Sequence, residues 1–222
     1  MTWQEGIEIF LSMKRRELIQ LVVFALSAIV YFPFSEWLST TQGGTSLFLW
    51  GQMIYVLPLV ASILAMPFLV FGLFFRDTRR RSCLYLLCIA LFVPCCIFGV
   101  GLGDKARMAG MKSFAQRSQT LIRAIENYER DHSGPPQSLN DLVPDYIPAV
   151  PCTGMAAYPE YRYHTGDMAK QQYAGNSWVL TVFTPSGFLN FDMMLYFPNQ
   201  NYPHHGYGGS LEPVGDWAYV HE

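Results

Sequence analysis

The chain has 222 residues, of which 51% are hydrophobic and 14% charged, against about 25% charged in an average soluble domain. Residues 1–103 carry seven Lys/Arg and five Asp/Glu, and residues 104–222 carry eight and twelve, so the net charge of −2 divides into +2 and −4. This composition excludes a wholly soluble enzyme, a disordered tail and a strongly basic nucleic-acid-binding protein, and no nucleic-acid partner is expected.

Three charge-free segments in the first half, 18–35, 37–75 and 82–103, are the candidates for membrane-spanning helices. A helix needs roughly 20 mostly apolar residues to cross the hydrocarbon core. The middle segment begins with polar, loop-like residues, so its span is expected at about 47–75. The sequence therefore predicts an N-terminal segment over 1–17, a three-helix transmembrane region over 18–103 and one further domain over 104–222. The lipid bilayer is accordingly one expected partner of the chain.

The basic residues around the spans predict the orientation in the membrane. Lys14, Arg15 and Arg16 precede the first span, and four arginines fill the loop between the second and third spans. The loop over 34–46 contains no Lys or Arg. Because positive charge is retained on the cytoplasmic side, we expect a cytoplasmic N-terminus and an extracytoplasmic domain after the third span.

Five cysteines are divided between the two halves. Cys83, Cys88, Cys95 and Cys96 fall in the third span, whereas Cys152 is alone in the outer domain. A lone cysteine cannot form a disulfide within its own domain. The span cysteines could bind a metal or serve as apolar packing residues, and packing is favoured because no histidine or carboxylate accompanies them. No metal site and no cofactor are expected.

Apolar residues recur every three or four positions from Met108 to Tyr128, which predicts an amphipathic helix of about seven turns. Gly134 and the two prolines after it end the helix. The cations mostly occupy its other faces, namely Lys105, Arg107, Lys112, Arg117, Arg123 and Arg130. The third span can run into this helix, with a kink or short break expected near Pro94, Gly99, Gly101 and Gly103.

The remainder of the outer domain carries strand signals. Ser138 and Asp141 form a weak capping-box pattern for a short helix over 139–143. Strands are expected over 161–163, 178–183, 188–197 and 216–220, with a hairpin turn at 185–187 and a loop over 199–209. The pattern predicts an α+β fold in which a long helix lies across three or four antiparallel strands.

The segment LIRAIENYERDHSGPPQSLNDLVPDYIP resembles the start of the soluble domain of bacterial type II secretion pseudopilins and type IV pilins. The residues that carry the resemblance are Ala124, Tyr128, Gly134, Pro135, Leu139, Leu142, Tyr146 and Pro148. Pro151, Gly154, Tyr161, Tyr163 and the run SWVLTVFTPSG resemble the family's entry to its sheet. The resemblance covers about residues 108–187. It implies a pilin-like domain, a bacterial inner membrane and a periplasmic location for the domain.

The chain departs from the family in its anchor. Pilins have one N-terminal membrane helix behind a cleaved Gly–Phe junction with a nearby glutamate, whereas Arg80, Arg81, Ser82 and Cys83 precede the third span here. We therefore expect neither prepilin-peptidase processing nor polymerisation by the usual route. Major pseudopilins also bind calcium through several oxygen ligands. Only Glu212, Asp216 and Asp192 stand near the corresponding region, so calcium binding is not predicted.

The sequence contains no recognised catalytic motif, and its five histidines are scattered. His204 and His205 could contact a metal, act as a pH-sensitive contact or simply be solvated. The aromatic residues near them could contact a partner or cover the end of the sheet. The predicted partner-contact residues are Arg117, Arg123, Arg130, Tyr202, His204, His205, Tyr207 and Trp217.

These observations favour a non-catalytic, membrane-anchored interaction module whose partner is an envelope protein in a secretion or pilus-related assembly. One alternative is an immunity protein that protects against a toxin acting at the membrane. A second alternative is an enzyme acting on envelope polymers, which the missing acid–base pairs disfavour. The sequence predicts no oligomeric state.

Overall fold

The computed structural model describes residues 15–45, 47–186 and 190–221. Most of the predicted N-terminal segment, 1–17, lies outside these residues. The fold is α+β, as predicted. Three helical stretches are long and apolar enough to cross a membrane, over Arg16–Ser39, Leu47–Gly72 and Arg76–His132. These three candidate spans indicate a membrane protein.

The described chain divides into two compact units. The first comprises the chain up to Glu36 together with Gly51–Ala106, and the second comprises Trp37–Trp50 and Arg107–Glu222. The second unit thus includes a short segment from between the first two spans, which the sequence-based division had assigned to the transmembrane region.

The first unit is built from helix α1 (Arg15–Ser39), helix α3 (Met53–Gly72) and the first part of helix α4 (Arg76–Arg117), while the short helix α2 (Leu47–Gly51) lies almost wholly in the second unit. Phe32, Tyr55 and Phe92 form part of its buried core, together with the fully buried Cys96. The burial of Cys96 among aromatic rings agrees with the packing interpretation of the span cysteines.

Polar residues also bond between these helices. The Gln52 side-chain amide donates hydrogen bonds of 2.9 Å to Ser35 Oγ and to Glu36 Oε1, and all three residues are buried. Glu36 lies within α1, three residues before its end. The sequence-derived span stopped at residue 35 and so excluded this carboxylate from the helix that contains it.

The predicted short break near Pro94 and the glycines is wrong, because α4 continues without interruption to Arg117, while the alternative of a kink stays a prediction. Gly99 instead permits close helix packing, since a Cβ there would lie 2.7 Å from the carbonyl oxygen of Ala28. The helical stretch is interrupted only at Ser118, after which helix α5 covers Gln119–His132. The Ser118 N–H still bonds the carbonyl of Phe114 at 3.0 Å, so the backbone ladder continues through the interruption.

The second unit contains one antiparallel sheet of six strands in the order β1-β2-β3-β6-β5-β4. The strands are β1 (Arg162–Thr165), β2 (Trp178–Phe183), β3 (Met193–Tyr196), β4 (His205–Gly206), β5 (Gly209–Val214) and β6 (Trp217–His221). A 3₁₀ helix covers Leu139–Leu142 and helix α6 covers Gly166–Gln172. The expected hairpin of β2 and β3 is present, with Leu180 paired to Tyr196.

Several details differ from the predicted elements. The sheet has six strands rather than three or four, because β4 and β5 lie in the region expected to be a loop or its continuation. The described part of the second β-rich run forms a strand only over Met193–Tyr196, and residues 188 and 189 lie outside the described residues. The capping box is confirmed, since Ser138 Oγ accepts from the Asn140 N–H and the Asp141 carboxylate accepts from the Ser138 N–H.

The core of the second unit lies between the sheet and α5. Leu121, Ile122 and Ile125 on α5 are fully buried, as the apolar spacing predicted, and they belong to the same cluster as Trp178 and Trp217. A smaller cluster containing Val179, Leu195, Phe197 and Val220 is packed by Tyr173, Tyr202 and Tyr207. Alternate residues of β2 belong to the two clusters, because successive side chains of a strand point to opposite faces of the sheet.

Candidate functional site

The three arginines predicted to contact a partner are exposed. Arg117 stands at the end of α4, and Arg123 and Arg130 stand on α5. The Arg130 guanidinium donates to Asn127 Oδ1 at 3.1 Å, and Arg117 makes only a long 3.5 Å contact with the Gly154 carbonyl. The exposed residues of α5 are thus polar or charged, and they include the carboxylates of Glu126 and Asp131.

The loop tyrosines mainly complete the fold. The Tyr202 hydroxyl accepts from the Phe197 N–H at 2.9 Å and donates to the Asp216 carbonyl at 2.7 Å. Its ring stacks on Phe197 with centroids 4.8 Å apart, and burial raises the pKa of its phenol. Tyr207 stacks on Tyr173 at 5.6 Å. These aromatic residues were expected either to contact a partner or to cover the end of the sheet. Their contacts favour the second role.

Trp217 is a core residue rather than a surface contact. Its side chain is 1% exposed, and its indole Nε1–H donates to Ser118 Oγ at 2.8 Å. It packs edge-on against Phe114 with ring centroids 4.9 Å apart. The expectation that Trp217 contacts a partner is therefore corrected: β6 is an interior strand, and the neighbouring strands and helices cover its side chains.

His204 and His205 are both exposed at the opposite edge of the sheet from β1. His205 belongs to β4 and pairs with Ser210, while the His204 carbonyl accepts from the Leu211 N–H at 3.2 Å. The backbone of both histidines is thus paired at this edge of the sheet, and both side chains are exposed. Within the described residues, no group of three or more histidines, cysteines or carboxylates is arranged to hold a metal ion.

A buried cation is the main polar feature that the sequence analysis missed. Arg107 was expected on an outer face of the helix but is 3% exposed. Its Nε donates to the Tyr219 hydroxyl at 2.8 Å and its Nη1 to the Tyr158 hydroxyl at 3.2 Å, while Nη2 donates to the Thr184 carbonyl. The spacing gave a usable signal, because Arg107, Met111 and Phe114 fall on one helix face and the last two are fully buried.

The Arg107 network continues to a buried carboxylate. The Tyr219 hydroxyl donates to Asp192 Oδ2, and Ser186 Oγ donates to the same oxygen at 3.3 Å. Burial raises the pKa of Tyr219, and the Arg107 charge works against that rise. This network of hydrogen bonds therefore links an arginine, a phenol and a carboxylate that all lie inside the second unit. This arrangement ties the start of the domain to β6 and to the segment after β2.

The carboxylates considered for calcium serve separate partners. Asp192 accepts from Tyr219, Glu212 lies 2.8 Å from His221 Nε2, and Asp216 accepts from the Gln119 side chain at 3.0 Å. Glu129, by contrast, accepts from Ser177 Oγ and from the Trp178 indole at 3.0–3.1 Å and so joins α5 to β2. These carboxylates thus have different structural partners.

Comparisons of the chain with protein-family models, with curated proteins and with solved structures found no match.

Proposed function

We propose that this chain is a non-catalytic, membrane-anchored protein-interaction module. Its second unit would be an extracytoplasmic, pseudopilin-like domain of a bacterial inner-membrane protein. The partner would be an envelope protein in a secretion or pilus-related assembly. The three candidate spans support the membrane anchor, and the basic residues beside them support the orientation.

The exposed side of α5 is the observation that carries the proposal. One side of the helix buries Leu121, Ile122 and Ile125 in the domain core. The other side exposes Thr120, Arg123, Asn127 and Arg130, which recur at helical spacing, and the carboxylate of Glu126 is exposed beside the two arginines. A helix fixed through its buried side presents these polar groups in a rigid row. Two guanidinium groups in such a row suit a partner that offers carboxylates.

The domain architecture supports the pilin-like part of the proposal. A long helical stretch enters the domain, one side of α5 packs in its core, and antiparallel strands follow. The resemblance to pseudopilins predicted this order of secondary-structure elements from the helix, turn and strand motifs.

The test is site-specific photocrosslinking of the full-length protein in its native host. A photoreactive residue at Thr120 would be expected to crosslink a secretion or pilus component, identified by mass spectrometry. The matched control is the same residue at Met168, which is 50% exposed on α6. The double substitution R123E/R130E should abolish the Thr120 adduct, whereas K170E on α6 should leave it.

Three results would contradict the proposal. Equal adducts from Thr120 and Met168 would indicate non-specific collision rather than a binding face. A Thr120 adduct with a small toxic protein would favour the immunity function instead. An adduct that survives R123E/R130E would show that the arginine row does not form the contact.

A further inference from the structure

A groove with a mixed polar and apolar lining lies within the second unit, between the segment from the end of α1 to the following loop and the last turns of α4. It has a volume of about 380 Å³, and its lining includes Trp37, Thr40, Gln42, Gly110, Ser113 and Arg117. The groove is separate from the exposed side of α5, from the histidine loop and from the Arg107 network.

The walls of the groove are held by close packing. A Cβ at Gly110 would lie 2.1 Å from Thr40 Oγ1, so the glycine allows the segment to lie directly against α4. The Ala156 N–H donates to the Thr41 carbonyl at 3.0 Å. Gly154 has a φ of +73°, which favours glycine, and directs its carbonyl towards Arg117. The groove is therefore built by three separate parts of the domain.

One wall of the groove follows directly after a candidate membrane span. One candidate span ends at Ser39 and the next begins at Leu47, so Thr40 and Gln42 follow a span by at most three residues. Trp37 lines the groove, and both Trp37 and Trp50 are 53% exposed. Tryptophan is enriched where membrane proteins cross the headgroup region. A headgroup is the ligand that this position favours.

The charge around the groove favours an anion. Arg117 is the one ionisable residue among the described residues that line the groove, and Lys112 is exposed on the same helix. The hydroxyls of Thr40 and Thr41 already donate to the carbonyls of Trp37 and Leu38 at 2.9 Å. The donors that can turn to a ligand are therefore the Arg117 guanidinium and the exposed Gln42 amide.

We propose that this groove binds the phosphodiester of an anionic phospholipid headgroup. Arg117 would donate paired hydrogen bonds to the phosphate oxygens, the geometry for which a guanidinium is suited. Gln42 would add a neutral donor, and Trp37 would contact the glycerol region. The inference requires the candidate spans to lie in a membrane but does not depend on the protein that α5 contacts.

Native mass spectrometry of the full-length protein in detergent tests the site. The protein is titrated with phosphatidylglycerol, with phosphatidylcholine and with soluble glycerol phosphate. We expect a single tightly bound phosphatidylglycerol and weaker binding of the other two. R117Q should weaken phosphatidylglycerol binding about tenfold, the low end for loss of a charge-assisted hydrogen bond. R162Q, which removes an exposed arginine of β1, should leave binding unchanged.

A second pair of variants tests the shape of the groove without changing charge. S113L would fill the groove and should also weaken phosphatidylglycerol binding. Q116L introduces the same side chain at an exposed position of α4 outside the lining, so it should not weaken binding. Equal thermal midpoints for R117Q and the unsubstituted protein would establish that both are folded. If R117Q has a lower midpoint, the comparison of S113L with Q116L decides whether the lipid binds in the groove.

Each contrary outcome would overturn the assignment. Equal affinity for phosphatidylglycerol and phosphatidylcholine would indicate annular lipid without headgroup recognition. Equal affinity for soluble glycerol phosphate would identify a site for free phosphate compounds instead of lipid. Unchanged phosphatidylglycerol binding in S113L, or in a folded R117Q, would show that the lipid binds elsewhere.

Discussion

The indole Nε1 of Trp217 donates a 2.8 Å hydrogen bond to Ser118 Oγ, across a sequence separation of 99 residues. Ser118 stands at the single-residue interruption between α4 and α5, and its hydroxyl also donates to the Ala115 carbonyl at 2.8 Å. The end of α4 and the centre of the sheet are thus joined through one hydroxyl.

Removing this hydroxyl should destabilise the second unit. S118A leaves the buried indole N–H without its acceptor, which costs about 1–3 kcal/mol. The thermal midpoint of unfolding should fall by about 2–10 °C. It is measured by tryptophan fluorescence of the full-length protein in detergent. S113A is the control, because Ser113 is exposed and its hydroxyl bonds only the Ala109 carbonyl. An equal midpoint shift in both variants would contradict the assignment.

The Arg107 network should contribute strongly to stability. R107M removes the buried guanidinium that donates to two tyrosine hydroxyls and one backbone carbonyl, and each hydrogen bond made by a charged group is worth about 1.5–3 kcal/mol. Thermal unfolding in detergent should show a much larger loss than for K112Q, an exposed cation on the same helix. The double variant R107M/D192N should recover part of the loss. No recovery would mean that the two charges act independently.

Glycine should be required at Gly99 but not at Gly101. G99A brings a Cβ to 2.7 Å from the Ala28 carbonyl, whereas a Cβ at Gly101 meets nothing within 4 Å. Overpacking of this kind costs about 1–3 kcal/mol. Heating followed by size-exclusion chromatography in detergent should show earlier loss of the folded peak for G99A only. Matching profiles for the two variants would place α1 and α4 further apart than described.

His164 should make stability depend on pH. Burial and the nearby Arg162 charge lower the pKa of its imidazole below the ordinary value of 6.5, and its Nε2 lies 3.2 Å from Thr181 Oγ1. The unfolded chain therefore binds a proton more readily than the folded chain below about pH 6.5. Stability is retained above that pH and falls as the pH drops from 6.5 towards the lowered pKa.

The variant H164Q tests this pH effect. Its thermal midpoint should change less between pH 7.5 and pH 5 than that of the unsubstituted protein, measured in detergent with matched ionic strength. H132Q is the control, since His132 is exposed at the end of α5. If H164Q and the unsubstituted protein lose stability in parallel, another group is responsible for the pH dependence.

The fold was most predictable where one local pattern decides the structure. The spacing of Leu121, Ile122 and Ile125 predicted the buried side of α5, and Ser138 with Asp141 predicted the capped 3₁₀ turn. Strand β5 escaped prediction because Pro213 lies inside it. The described pairing of β4 reaches only Gly209 and Ser210, so Pro213 needs to donate no hydrogen bond on that side.

The candidate site depended more on tertiary placement. Tryptophan is a residue type that is common in contact surfaces, so the sequence alone suggested that Trp217 is exposed. Its burial follows from the position of β6 between β3 and β5. Arg107 could have been recognised from its helix face, but its partners Tyr158 and Tyr219 are 51 and 112 residues distant. Pairings across such distances leave no local trace in a single sequence.

The interior position of β6 has a consequence for biosynthesis. Residues 217–221 form the only described bridge between the β1-β2-β3 part of the sheet and the β5-β4 part. While these residues are still inside the ribosome, a nascent chain can form the β2-β3 hairpin but leaves the outer edge of β3 unpaired. Such an edge can pair with other chains. The domain thus depends on a late-synthesised segment to protect its first hairpin from aggregation.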